Sequence, residues 1–375
     1  MERALMPRSP SNNTLLPLLR KLSEKLGDQQ AKNELRWMVD HVHAALDDSR
    51  QRQTQEYERS ARLSARLWRG QPARSEAEIE RDSIRFSSVQ WAWLRQAVHD
   101  RTEKHKPLQY IIGSQPFGQA NITLRPPILI PRWETEEWML RLVDMLNTHS
   151  SACAEASAES TTSLLQPLNI LDACTGTGCV ALGLACGLSP ETASITGVDV
   201  SDEAISLAQE NLALNSLLTK NKLDFHKLDL LQTPDAAAKL LDISPTWDII
   251  VSNPPYVTPS EYKQLDPDVK EWEDIRALVP IPSATDANTV DLDSLDPSGV
   301  GFIVQLAKLA QSIGVTGSKQ TSLAGTNIPR LVVEIGGTQQ VEPVCQALHD
   351  HGINTTEVWK DMAGNDRVIL GYVKV

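Results

Sequence analysis

The sequence predicts an α/β chain: a doubly wound, Rossmann-like sheet of seven strands, preceded by a helical domain and a connecting β-hairpin. Three observations predict it. Strand-like and helix-like segments alternate from residue 168 onward. Residues 13–105 place apolar side chains at helical spacing and show no strand signal. Between them, residues 107–136 hold β-rich pieces broken by Gly and Pro. Alternation of strand and helix makes an open α/β sheet, and such sheets bind ligands at the carboxyl ends of their strands.

In chain order, residues 1–106 form the helical domain, expected to dock the substrate. "ELRWMVDHVHAAL" sets Leu35, Met38, Val39, Val42 and Leu46 on one stripe, and "SSVQWAWLRQAVHDR" does the same with Val89, Trp93, Leu94 and Val98. The charged run between them, 47–70, reads as an exposed helix with loops. Residues 107–135 are the hairpin linker. The α/β domain fills 136–375, with small polar insertions near 147–167, 281–300 and 312–329. Strands are expected at 168–174, 194–200, 222–230, 246–253, 330–336, 354–360 and 367–374. Helices are expected near 178–188, 202–216, 301–311 and 338–351.

A length of 375 residues suits two domains, each with its own core. No apolar run approaches the roughly 20 residues that cross a bilayer, so no membrane span is expected. The five Cys are odd in number and form no CxxC pair, and no HExxH occurs. A reducing compartment and no metal are the expectation. The net charge of −12 is uneven: residues 1–106 carry 20 Lys/Arg against 15 Asp/Glu, the rest 16 against 33. An acidic second half argues against a nucleic-acid track there. The first residues hold Arg3, Arg8, Arg20 and Lys21 against Glu2, loosely like a transit peptide.

Two motifs carry chemistry. "NILDACTGTGCVALGLA" ends a strand in glycines and opens a helix. Gly176 and Gly178 let backbone approach a ligand, and Asp199 closes the next strand about 20 residues on, where an acid accepts from ribose hydroxyls. Glycines alone mark any strand-to-helix turn, and Ala181 in the last position still permits a dinucleotide. The second motif decides. "DIIVSNPPY" ends a buried strand on Asn253, then stiffens with Pro254 and Pro255 before Tyr256. Hydride transfer needs no such loop. A methyl transferase acting on a planar nitrogen uses every part: the Asn253 carbonyl and the Pro254 C=O accept N–H groups, and the Tyr256 ring packs on the flat group.

These residues resemble a class I S-adenosylmethionine-dependent methyltransferase acting on an amino group. "PLQYIIGSQPFG…ILIPRWETE" (107–136), "VKEWEDIRALVP" (269–280) and "VVEIGGTQQ…VWKDMAGNDRVILG" (332–371) are similar to segments of the HemK/PrmC family. The resemblance covers 107–375, and the helical domain fits more loosely. It implies a release-factor glutamine methyltransferase, whose partner is a peptide chain release factor and whose target is the glutamine of its GGQ motif. By that resemblance Asn253, Pro254, Pro255 and Tyr256 bind the glutamine amide. Thr175, Gly176, Thr177, Gly178, Asp199 and Asn253 hold S-adenosylmethionine, with Asp229 near the adenine. Arg132, Glu134 and Glu136 border the cofactor site, with structural ion-pairing the alternative. For Asp229 the alternative is a strand-end cap.

The sequence departs from the family at Trp133, where the family has Pro, and at Ala173 and Cys174, where it has Leu and Gly. The Glu273 segment lacks the family's following Pro. Cys174 serves in the loop if its φ is negative. Cys174 and Cys179 read as small packing residues rather than ligands. The insertions and the retained helical domain suggest the mitochondrial branch. Two other readings stay open: methylation of an exocyclic base nitrogen in RNA or DNA, and a non-catalytic module of the same fold.

Overall fold

The computed structural model describes residues 14–45, 86–158, 166–282, 289–315 and 328–373. The chain divides into two compact units, Met1–Pro116 and Phe117–Val375.

The first unit is helical. Its described helices are α1 (Leu16–Leu26), α2 (Asp28–Ala45), α3 (Ser88–Glu103) and α4 (Leu108–Ile112). Helix α3 starts on a capping box. The Ser87 side chain accepts the Gln90 N–H, and the Gln90 side chain accepts the Ser87 N–H at 2.7 Å. The core gathers Leu22, Leu35, Met38, Val39, Val42, Trp91, Leu94 and Val98. The stripe expected in α3 is shifted: Val89 faces solvent and Trp91 is buried. The spacing of Trp91, Leu94 and Val98 fits the helical period equally well, and the larger ring takes the core. Inside this unit Arg101 Nε donates to Glu34 Oε2 at 2.7 Å, both side chains being buried. Leu46 and the charged run 47–70 lie outside the described residues, as does the Arg-bearing start up to residue 13.

A two-stranded sheet, β1 (Ser114–Phe117) and β2 (Ala120–Thr123), follows. Residues 124–132 form no strand, and helix α5 (Trp133–Ala158) begins inside the PRWETE segment. Trp133 is its first residue, the position where a helix also accepts Pro, so the departure costs no helix. Helix α5 runs through the first half of the stretch expected as a loose insertion, 147–167. Alanines in "SSACAEASA" favour helix, which outweighs the polar composition.

The strands of the main sheet are β3 (Leu168–Ala173), β4 (Ala193–Asp199), β5 (Lys222–Lys227), β6 (Ile249–Ser252), β7 (Leu331–Glu334), β8 (Thr355–Lys360) and β9 (Asp366–Tyr372). Their order is β5-β4-β3-β6-β7-β9-β8. Strands β3 to β7 pair in parallel, and β9 runs antiparallel between β7 and β8. Between strands lie α6 (Cys179–Gly187), α7 (Asp202–Leu214), α8 (Thr233–Ile243), α9 (Pro259–Gln264), α10 (Pro267–Lys270), α11 (Ile275–Leu278), α12 (Gly301–Ser312) and α13 (Thr338–Asp350).

Leu171, Ala173, Val198, Ile250, Val333 and Ile369 turn one face toward Leu240, Phe302, Leu306, Val344 and Leu348 of the helices. Ile170, Ile195, Ile249, Val251 and Val332 alternate with them and are also buried, as a parallel sheet covered on both faces requires. Residues 289–300 are not a loose insertion either. Val290 and Leu295 pack with Leu278, Val279, Ile281 and Tyr262. Of the third insertion, 316–327 lies outside the described residues.

The chain order reverses at β3, which sends β4 to one side and β6 to the other. Register aligns Ala173 with both Val198 and Ser252, and Ser252 with Val333. The next residues along, Asp199, Cys174, Asn253 and Glu334, therefore leave the sheet side by side. That crevice is where an open α/β sheet takes its ligand.

Candidate active site

The glycine loop is tied down from three sides. The Thr175 N–H donates to the Val198 carbonyl at 2.9 Å, and the Gly176 N–H to Asp199 Oδ2 at 2.9 Å. Asp172 Oδ2 accepts the Thr175 hydroxyl at 2.6 Å and the Ala181 N–H at 3.1 Å. The Thr177 carbonyl accepts from Asn211 Nδ2 at 3.0 Å. Gly178 is the N-cap of α6 at φ +79°, and a Cβ there would come within 2.9 Å of the Phe225 ring. Gly176 differs: it has φ +55° but only open space where a Cβ would be.

Cys174 corrects the reading of its sequence. Its φ is +61°, not negative. The chain must turn sharply after β3 for Thr175 to reach Val198, and this sequence makes the left-handed turn with a side chain. Such a residue costs about 1–2 kcal/mol that Gly avoids. Cys174 packs against the core in return, and Cys179 is buried. Burial pushes the Cys174 thiol well up and the Cys179 thiol up to about 12, so neither is a thiolate at neutral pH.

Asp172 was not singled out in the sequence, yet it is the buried acid of the loop. Its Oδ1 is buried with no partner among the described residues. Burial pushes its carboxyl up to about 7, against the bonds from Thr175 and Ala181. A buried acceptor without a donor, at the base of a loop that has room at Gly176, suits a ligand bearing an ammonium and hydroxyl groups. S-adenosylmethionine has both, so the residues present fit it. Asp199 holds the Gly176 N–H on one oxygen and the Ser201 N–H on the other, at 3.0 Å. Burial raises its carboxyl too. Each oxygen keeps a lone pair for a ligand hydroxyl. Asp229 lies beyond β5 and is held in its own turn, accepting the Leu231 N–H and the Gln232 side-chain amide.

Asn253 follows β6, half-buried, with Pro254 and Pro255 buried behind it. Its Nδ2 donates to Thr135 Oγ1 at 3.1 Å. Its Oδ1 and the Pro254 carbonyl have no partner among the described residues. The Thr135 hydroxyl donates to Glu334 Oε2 at 2.7 Å. Trp138 Nε1 donates to the same oxygen at 2.7 Å, and the Tyr256 hydroxyl donates to Glu334 Oε1 at 2.8 Å. Burial raises the Glu334 carboxyl, while those three donors and Arg367 favour its charge. The Tyr256 hydroxyl is pushed well up by burial and by Glu334, so it stays protonated as a donor. Gln340 Nε2 donates to the carbonyls of Tyr256 and Ser298, both at 2.9 Å, and its Oε1 accepts the Gly336 N–H at 2.7 Å.

In the PRWETE segment, Arg132 pairs with the buried Glu273, and Glu136 accepts the Gly118 N–H at 2.8 Å. Both contacts tie this segment to its neighbours in the fold. The member that reaches Asn253 is Thr135, which sequence reasoning passed over, as it did Glu334, Trp138 and Gln340. The signal was present: Thr135 lies in the quoted motif and Glu334 at the end of a strand beside Asn253.

Residues 170–263 match a family described as a methyltransferase domain. A mitochondrial N(5)-glutamine methyltransferase of Saccharomyces cerevisiae is 39% identical, over 51% of this chain and 54% of that one, so this match spans about half of that relative's length. A probable mitochondrial N(5)-glutamine methyltransferase of Schizosaccharomyces pombe is 30% identical, over 78% of this chain and 81% of that one. A release factor glutamine methyltransferase of Flavobacterium psychrophilum is 32% identical, over 78% and 82%. With relatives of this identity matched over four-fifths of their length, and a parallel sheet that sets a glycine loop beside Asn-Pro-Pro-Tyr, the chain belongs to the release factor glutamine methyltransferase family.

Proposed function

We propose that this chain methylates the side-chain amide nitrogen of the GGQ glutamine in a peptide chain release factor, using S-adenosylmethionine. The observation that carries the reading is the pair of acceptors at the crevice: Asn253 Oδ1 and the Pro254 carbonyl, neither engaged by another described residue. An amide nitrogen is a poor nucleophile because its lone pair is delocalised. Two acceptors on its N–H groups fix its plane and stabilise the positive charge that grows there. S-adenosylmethionine, when bound, supplies the electrophilic methyl. Asp172, Gly176, Thr177 and Asp199 would hold it. No strong base is needed beforehand, because the N–H turns acidic as the new bond forms. The proline pair keeps both acceptors still.

Two of the matched relatives are mitochondrial by name, which supports a mitochondrial location for this chain. None of the described helices is long and apolar enough to cross a membrane, and no group of three or more His, Cys, Asp or Glu among the described residues could hold a metal. The helical unit is the proposed docking module for the release factor.

The test is mass spectrometry of candidate release factors incubated with enzyme and cofactor, with RNA and DNA as parallel substrates. One methyl on the GGQ glutamine is the expected result. Label that goes to nucleic acid and leaves the glutamine bare would overturn the reading.

A further inference from the structure

The contact between Thr135 and Asn253 joins residues 118 positions apart and is made by a hydroxyl with a single proton. That proton is spent. Glu334 is buried, and its Oε2 takes both the Thr135 hydroxyl and the Trp138 indole N–H, which can only donate. Its Oε1 takes the Tyr256 hydroxyl. With a carboxylate as its acceptor, Thr135 has only lone pairs left for Asn253. The amide must then turn its nitrogen to Thr135 and its oxygen the other way. A flipped amide would set two acceptors face to face at 3.1 Å and leave them unsatisfied. That arrangement disfavours the flip by about 10- to 100-fold.

We infer that Thr135, backed by the buried Glu334 carboxylate, is a positioning residue that locks the Asn253 side-chain amide with its oxygen toward the substrate. This rests on the methyl-transfer reading above. An incoming amide nitrogen brings only N–H donors, so the crevice must show it an acceptor. Amide oxygen and nitrogen have nearly the same shape, and Asn253 alone has no steric reason to choose. Thr135 and Glu334 supply the choice. The same buried carboxyl also holds Tyr256, so one side chain sets both ends of the Asn253–Tyr256 loop. Any substrate that offers an acceptor in place of the N–H, such as a glutamate carboxylate, meets the Asn253 oxygen and is repelled.

The lock is tested with protein labelled with 15N at asparagine, the Asn253 side-chain resonances being assigned by their absence in Asn253→Ala. In the wild type and in Thr135→Ser, the Asn253 amide protons exchange with water at least about tenfold more slowly than in Thr135→Val. Equal exchange in Thr135→Val and wild type overturns the inference. Turnover gives the second readout. Thr135→Val lowers kcat about 10²-fold, the penalty of a misplaced reacting group, with KM and cofactor Kd within about twofold. Thr135→Ser recovers turnover to within about fivefold, because it keeps the hydroxyl. A wild-type kcat in Thr135→Val overturns the inference, and so does a loss of cofactor affinity and Tm that Thr135→Ser fails to rescue. If the wild type leaves the release factor unmethylated, the substrate reading fails, and amide exchange still decides the lock.

Discussion

Asn253 turns its side-chain nitrogen to Thr135, whereas Asp199 engages the glycine loop at the Gly176 N–H and its own turn at the Ser201 N–H. Removing each side chain should therefore fail differently. Asn253→Ala lowers kcat by at least about 10²-fold, as losing one preorganised polar contact to the reacting group does, and leaves cofactor Kd within about threefold. Asp199→Ala loosens the loop and raises cofactor Kd by tenfold or more, on the scale of about 1.4 kcal/mol per decade. Calorimetry on both variants checks the division, and an equal rise in Kd contradicts it. Asp172 carries a pH signature. Its carboxyl moves from 3.8 to about 7 on folding. Below pH 3.8 both states hold the proton. Between 3.8 and about 7 the unfolded chain releases it and the folded chain keeps it, so this group's contribution to stability falls as pH rises and levels off above 7. Melting curves of the cofactor-free protein should show that decline, and Asp172→Asn should flatten it. Asn253, Pro254, Tyr256 and Asp199 could be singled out as candidates from the sequence because they sit in short motifs at or just past a strand end. Thr135, Glu334 and Asp172 were not singled out, since their contacts depend on which segments the fold sets side by side.

At the scale of elements, the strands were legible because parallel strands read as apolar runs, and the topology put the glycine loop beside Asn253 as expected. Helix α5 was only half legible. Its amphipathic start near Leu142 and Leu146 gives way to Ala and Ser, which look like a linker until helix propensity is counted. The junctions between elements depend on single side chains. Gln340 in the first turn of α13 clasps the turn after β7, the turn before α12 and the end of the Asn-Pro-Pro-Tyr loop. Gln340→Ala leaves three backbone groups without partners and should destabilise the protein by about 2–3 kcal/mol. Urea unfolding measures it. A loss under about 0.5 kcal/mol would mean that water replaces the clasp.

The molecule as a whole is two units, each with its own apolar core. In the sequence, helical stripes give way to strand-like pieces near residue 107, and the division between the units falls at Pro116 and Phe117. The Glu34–Arg101 pair is buried inside the helical unit. Glu34→Gln removes the carboxylate charge that faces the buried Arg101 guanidinium and should cost that unit about 3–5 kcal/mol. Scanning calorimetry should show a lowered transition, with cofactor affinity measured at low temperature unchanged. A matching fall in affinity would show that the two cores do not unfold separately. The row formed by Asp199, Cys174, Asn253 and Glu334 has a further consequence. These residues meet because four parallel strands share one register. Strand side chains alternate between faces, so the row behaves like a reading frame. One residue inserted in Ile249–Ser252 would turn Asn253 out of phase with Thr135 and Glu334 while the composition of the site stayed the same. A second insertion beside it would bring the phase back. The site is thus written in parity as well as in residues, so a change of strand length there should undo it as surely as a change of side chain.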